Sequence, residues 1–156
     1  MKKRNIFIIL FCLILIFIDF ISKYLVINLL NNKTIIIINN FLKFIYVKNS
    51  GAAFGFLSGN IIVLIIVTLI LLIYIIKEVK NNYNNRWILF SYLLILSGAL
   101  GNLIDRIFRG YVIDFISFTL FNKEMAVFNI ADSYITIGVF LLIILLIKKE
   151  DVLWKK

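Results

Sequence analysis

Four predominantly apolar stretches, about 6–28, 58–76, 87–107 and 129–147, punctuate the chain. Each is long enough to cross a bilayer as a helix, which takes roughly 17–25 residues. Between the first two, residues 29–57 change period. "TIIII" and "FLKFIYVK" are β-branched and aromatic runs separated by Asn39 and Asn40, which predicts a hairpin. "NSGAAFG", beginning at Asn49, reads as a loop whose small residues let the backbone approach something closely. The simpler alternative is that the hairpin only packs on the end of the bundle. A second connection, 108–128, carries Asp114.

The polar positions inside the apolar stretches are few and patterned. Thirteen apolar residues, about 20 Å of helix, separate Asn5 from Asp19. Lys23 follows Asp19 at i+4 and can pair with it. In the third stretch Ser97, Gly101 and Asp105 form one stripe, and Gly98, Asn102 and Arg106 the next. In the fourth, Asn129, Asp132, Ser133 and Thr136 share a face. A charge near the bilayer centre costs about 2.5–3.5 kcal/mol on insertion, against about 0.3–0.6 kcal/mol returned per Leu or Ile. Insertion is therefore feasible, and the charges still need a reason. They converge on one depth, toward one end of the bundle, which predicts a shared site.

Composition narrows the chemistry. At 63% hydrophobic and 16% charged, the 156 residues have too few polar groups to clothe a soluble globule, so a single integral membrane bundle over 1–156 is expected. The net charge of +9 would suggest nucleic acid in a soluble protein. Here the basic residues are split among the ends of apolar segments, and no nucleic-acid partner is expected. Ten of them (Lys2, Lys3, Arg4, Lys77, Lys80, Arg86, Lys148, Lys149, Lys155, Lys156) fall on one side, and seven on the side with longer loops. Both termini are accordingly expected in the cytoplasm. The basic start and apolar run imitate a secretory signal, but no small-x-small site follows, which reads as a retained first helix. With no His, and Cys12 the sole Cys, Ser-His-Asp and Cys-His catalysis and the usual zinc sites are excluded, and no metal or cofactor is expected. Cys12 itself reads as a small core residue.

Asp19 with Lys23, and Asp105 with Arg106 or Arg109, could be paired anchors. Asp114 and Asp132 are harder to explain that way: only Arg109 could reach Asp114, and nothing basic lies near Asp132 in sequence. Two carboxyl groups brought close cannot both ionise, so one keeps its proton. The ionised one can then activate water against a peptide carbonyl, and the other can donate to the carbonyl oxygen. Rival readings are a proton or cation transporter using the acids as a relay, a peptidase using Ser22 or Ser133 with Lys23, and a non-enzymatic scaffold.

"DFISK" at 19–23, "NSGAAFGF" at 49–56, "GNLIDR" at 101–106, "VIDF" at 112–115 and "FNIADS" at 128–133 occur in this order across nearly the whole chain. Together they resemble the lipoprotein (type II) signal peptidases of bacteria. The resemblance implies a membrane all-α core, a four-transmembrane-helix bundle with a small extracytoplasmic β-sheet cradle at about 33–57. It implies an aspartic endopeptidase of the inner membrane, acting on diacylglyceryl-modified prolipoproteins and typically blocked by globomycin; the acid-pair chemistry needs no cofactor, and a monomer is expected. Carried over by motif, Asp114 and Asp132 would be catalytic. Asp19, Lys23, Asn49, Gly51, Asn102, Asp105, Arg106 and Asn129 would support the site and its substrate. Two departures stand out: Ser97-Gly98 where the family often has Gly-Gly, and Ala126 where it usually has proline. The second bears on the conformation of the loop leading into the fourth helix.

Overall fold

In the computed structural model, residues 2–30, 33–51, 58–121 and 123–154 are described. Four helices, α1 (Lys2–Leu30), α2 (Ile61–Asn81), α3 (Arg86–Arg109) and α4 (Ile130–Trp154), alternate in direction. Four strands, β1 (Ile35–Ile38), β2 (Leu42–Asn49), β3 (Val112–Leu120) and β4 (Lys123–Phe128), gather at one end of them. The helices run past the expected bounds at the opposite end because flanking Lys, Arg and Glu residues favour helix and continue the rods beyond their apolar parts. At the sheet end α2 starts later than expected. Gly59, at a φ of +83°, turns the chain just before it.

All four helices are long and apolar enough to cross a membrane. α3 lies at the centre: it packs on α1, α2 and α4, and over half of its span is buried. The other three turn most of their apolar side chains outward, as lipid-facing helices must. The tightest seam is between α3 and α4, where Gly98 faces the backbone of Ala131 and Gly138 faces that of Ser91. A Cβ at Gly138 would lie 2.7 Å from the Ser91 carbonyl oxygen. Close helix approach thus explains these glycines.

The predicted hairpin is present as β1 and β2. Both strands fall within the expected β region of about 33–57. Among the described residues its strands end at Asn49, and 52–57 of the predicted loop lie outside the described residues. The connection 108–128 is itself a second hairpin, completing an antiparallel sheet in the order β1-β2-β3-β4. β3 pairs with β2 in a register that sets Asp114 opposite Val47 and Val112 opposite Asn49. Beneath the sheet, Val26 and Leu30 of α1 pack with Ile113 and Phe115, fixing β3 on the helices. Ala126, at the position where the resembled family usually has proline, lies within β4.

Candidate active site

Asp114 occupies the third position of β3 and is buried, as are its neighbours Ile113 and Phe115. Its two oxygens accept from two amides: Asn49 Nδ2 at 2.7 Å from Oδ2, and Asn129 Nδ2 at 2.7 Å from Oδ1. Asn49 is held in turn by Gly51, whose N–H donates to its Oδ1 at 2.9 Å.

Asp132 is built into the start of α4. Its N–H donates to Asn129 Oδ1 at 2.8 Å, while the Asn129 N–H donates to its Oδ2 at 3.1 Å. This is a reciprocal capping box, in which two otherwise unpaired donors of the helix terminus are satisfied. The remaining oxygen, Oδ1, accepts from Asn102 Nδ2 at 2.7 Å. Asn129, fully buried, therefore touches both acids, and its amide also donates to Asn102 Oδ1 at 3.1 Å.

Behind these acids lies a buried ionic layer. Lys23 is 1% exposed. Its ammonium sits 2.7 Å from Asp19 Oδ2 and 2.9 Å from Asp105 Oδ2, and donates to Asn102 Oδ1 at 3.1 Å. Asp19 Oδ1 accepts from the Ala131 N–H at 3.0 Å, placing a negative charge at the N-terminus of α4. Asp105 Oδ1 accepts from Arg109 Nε at 3.0 Å. Two cations thus balance two carboxylates, which is what burial of charge demands. Arg109, which could have reached Asp114, is occupied here instead.

Among the described residues neither Asp114 nor Asp132 is in a salt bridge. Both line one cavity of about 980 Å³, together with Asn49, Asn102 and Arg106. Arg106 donates to the Gly51 carbonyl at 3.1 Å, while its Nε is buried without a partner. The cavity continues between α2, α3 and α4 past Thr68, Ile95 and Thr136 to Leu142 and Leu146. Burial, followed by the charge of Asp132, raises the carboxyl of Asp114 from 3.8 to about 6; the two amides and the Lys23 charge oppose this rise.

All ten residues singled out from the sequence meet in this region. The rival serines bond backbone carbonyls, Ser22 donating to that of Asp19 and Ser133 to that of Asn129, while the Lys23 ammonium is held by Asp19, Asp105 and Asn102. Ser91, Ser97 and Thr68 likewise bond carbonyls of their own helices, so no polar relay extends along the bundle from these groups. The extent of the long apolar cavity is not legible in the sequence; its α2 wall carries two hydroxyl side chains, Thr68 and Tyr74. No group of His, Cys, Asp and Glu suited to a metal occurs among the described residues.

The family model described as Signal peptidase (SPase) II matches residues 11–148. A lipoprotein signal peptidase of Thermodesulfovibrio yellowstonii is 42% identical over 141 residues, 87% of this chain and 91% of that relative. One from Streptococcus agalactiae is 38% identical over 153 residues, 95% of this chain and 96% of the relative. A solved structure described as a bacterial membrane enzyme superposes with a TM-score of 0.81 at 36% identity, covering 92% of this chain and 88% of that one. A second, also described as a bacterial membrane enzyme, gives 0.81 at 37%, covering 90% and 92%.

Proposed function

This multi-pass membrane chain belongs to the signal peptidase II family, and on that premise we propose that it is an aspartic endopeptidase that removes the signal peptide from diacylglyceryl-modified prolipoproteins. The observation that carries this reading is the single cavity holding both unpaired acids at one end. From Asp132 to Leu146 its α4 wall rises about 21 Å. A signal peptide's apolar core of roughly 7–15 residues is about 10–22 Å long as a helix. Such a segment fits the apolar length with its end at the acids.

Each of the four carboxyl oxygens already accepts one N–H. These donors cannot accept, so a proton on either acid occupies another lone pair and remains available to a substrate. Arg106 lines the cavity, interacts with the charges of both acids and is in no salt bridge among the described residues, consistent with an acid pair that shares a single proton. The ionised member takes a proton from water as the hydroxyl oxygen bonds to the scissile carbonyl carbon. The protonated member donates to the carbonyl oxygen, giving a neutral gem-diol. The base then passes its proton to the nitrogen as the C–N bond breaks, and the other acid recovers its own from the diol. Pair titration belongs to the dyad as a whole. The single N–H on Arg106 Nε, which has no partner among the described residues, is a donor that can stabilise charge on that oxygen.

The acyl chains of the substrate would lie in the bilayer and fix the depth of the cleavage site. The basic residues at the ends of α1, α2, α3 and α4 support cytoplasmic termini and an acid pair at the opposite, extracytoplasmic face of the bacterial inner membrane. Purified protein in detergent should cleave a lipidated precursor, leave the unlipidated form intact and be inhibited by globomycin. Equal cleavage of both forms would remove the lipid-dependent reading.

A further inference from the structure

At the end of the bundle remote from the acids, a second groove of about 470 Å³ lies between α1 and α3. Its walls are apolar, Phe7 and Phe11 from one helix facing Phe90 and Leu93 from the other, and among the described residues its charged members are Arg4 and Arg86. Both arginines lie in the first turn of their helices, at the same end of the bundle, and both line the groove; its α1 wall descends about 10 Å from Arg4 to Phe11.

Arg4 is held in place. Its guanidinium donates to the Tyr83 carbonyl and lies 4.0 Å from the centre of that residue's ring. The Tyr83 hydroxyl donates to Asn5 at 3.0 Å, tying the α2–α3 turn to α1. Arg86 is exposed, and among the described residues neither arginine is paired with a carboxylate. Two cations over an apolar slot, at the depth where the helices leave the membrane, match an anionic headgroup above an acyl chain.

We infer that this groove binds one anionic phospholipid of the leaflet on the side of the chain termini, its phosphate between Arg4 and Arg86 and one acyl chain along Phe7, Phe11, Phe90 and Leu93. The charge pair selects the headgroup and the apolar slot requires a tail. The site is separate from the acids and does not depend on their chemistry.

The test is native mass spectrometry of the full chain released from detergent, titrated with phosphatidylglycerol or with phosphatidylcholine of the same acyl chains. Wild type should retain one phosphatidylglycerol in preference to phosphatidylcholine, and each of Arg4→Gln and Arg86→Gln should weaken that preference about fivefold. Glycerol phosphate, which has the charge without a tail, should fail to displace the lipid at equal concentration. Arg86 is exposed, so its variant is the one least able to act through misfolding, and it decides the matter if Arg4→Gln does not fold. Equal retention of the two lipids, a preference unaltered in Arg86→Gln, or displacement by glycerol phosphate would each overturn the inference.

Discussion

Asp114 receives two amide hydrogen bonds and is still held at about 6, because burial and the neighbouring acid outweigh them. An acid whose folded value lies above its ordinary 3.8 binds its proton more tightly when folded. Its contribution to stability is therefore greatest below 3.8, declines as pH rises, and is fully lost above about 6, by at most roughly 3 kcal/mol. Thermal unfolding in detergent should show a lower midpoint at pH 8 than at pH 5, with a narrower gap in Asp114→Asn. Activity has a related signature: kcat/KM should fall as pH rises beyond about 6, when the dyad loses its shared proton. In kcat that limb should move to higher pH, since bound substrate excludes more water. Asn129 joins both acids, so Asn129→Ala should lower kcat roughly a hundredfold through misplacement while destabilising the fold by about 0.5–2 kcal/mol through the lost cap. Steady-state kinetics and an unfolding curve separate the two effects. The Asp19–Lys23 pair was legible from its i+4 spacing; that Asp105 and Asn102 share the same ammonium was not, since only helix packing brings α3 to α1.

At the scale of elements, α3 does most to define the site. It supplies Asn102, Asp105 and Arg106, and its small residues let α4 and α1 close on it. A Cβ at Gly101 would lie 2.7 Å from Asp19 Oδ2, the carboxylate that holds Lys23 and the start of α4. Gly101→Ala should therefore cost about 1–3 kcal/mol in unfolding experiments and reduce activity, although alanine favours helix more than glycine does. The stripes Ser97-Gly101-Asp105 and Gly98-Asn102-Arg106 made this helix readable as the packed one. The second hairpin was less well read. "VIDFISFTL" carries a β-branched and aromatic signal as clear as that of β2, but its partner "KEMAVF" is short and mixed in polarity, so no local pattern marks the hairpin. Its pairing with β2 depends on long-range register, which no local pattern specifies.

For the whole molecule, the balance of buried charge limits what can be changed. Lys23→Met would leave Asp19 and Asp105 facing each other with only Arg109 in partial compensation, a loss of about 3–5 kcal/mol. The variant should fail to accumulate in membranes, or unfold at far lower temperature than wild type, as immunoblotting and thermal scans would report. Overall hydropathy made the bundle legible, and the polar stripes showed at which end its chemistry lies. The cavity running from the acids along α2, α3 and α4 was not, because a volume is set by how helices splay and not by any one of them. The most direct test of the central claim is single-turnover cleavage of a lipidated precursor by Asp114→Asn and Asp132→Asn, each first shown to be folded. Both should bind the precursor and leave it uncut, with rates reduced by at least about a thousandfold. Cleavage at near wild-type rate by either one would contradict the account.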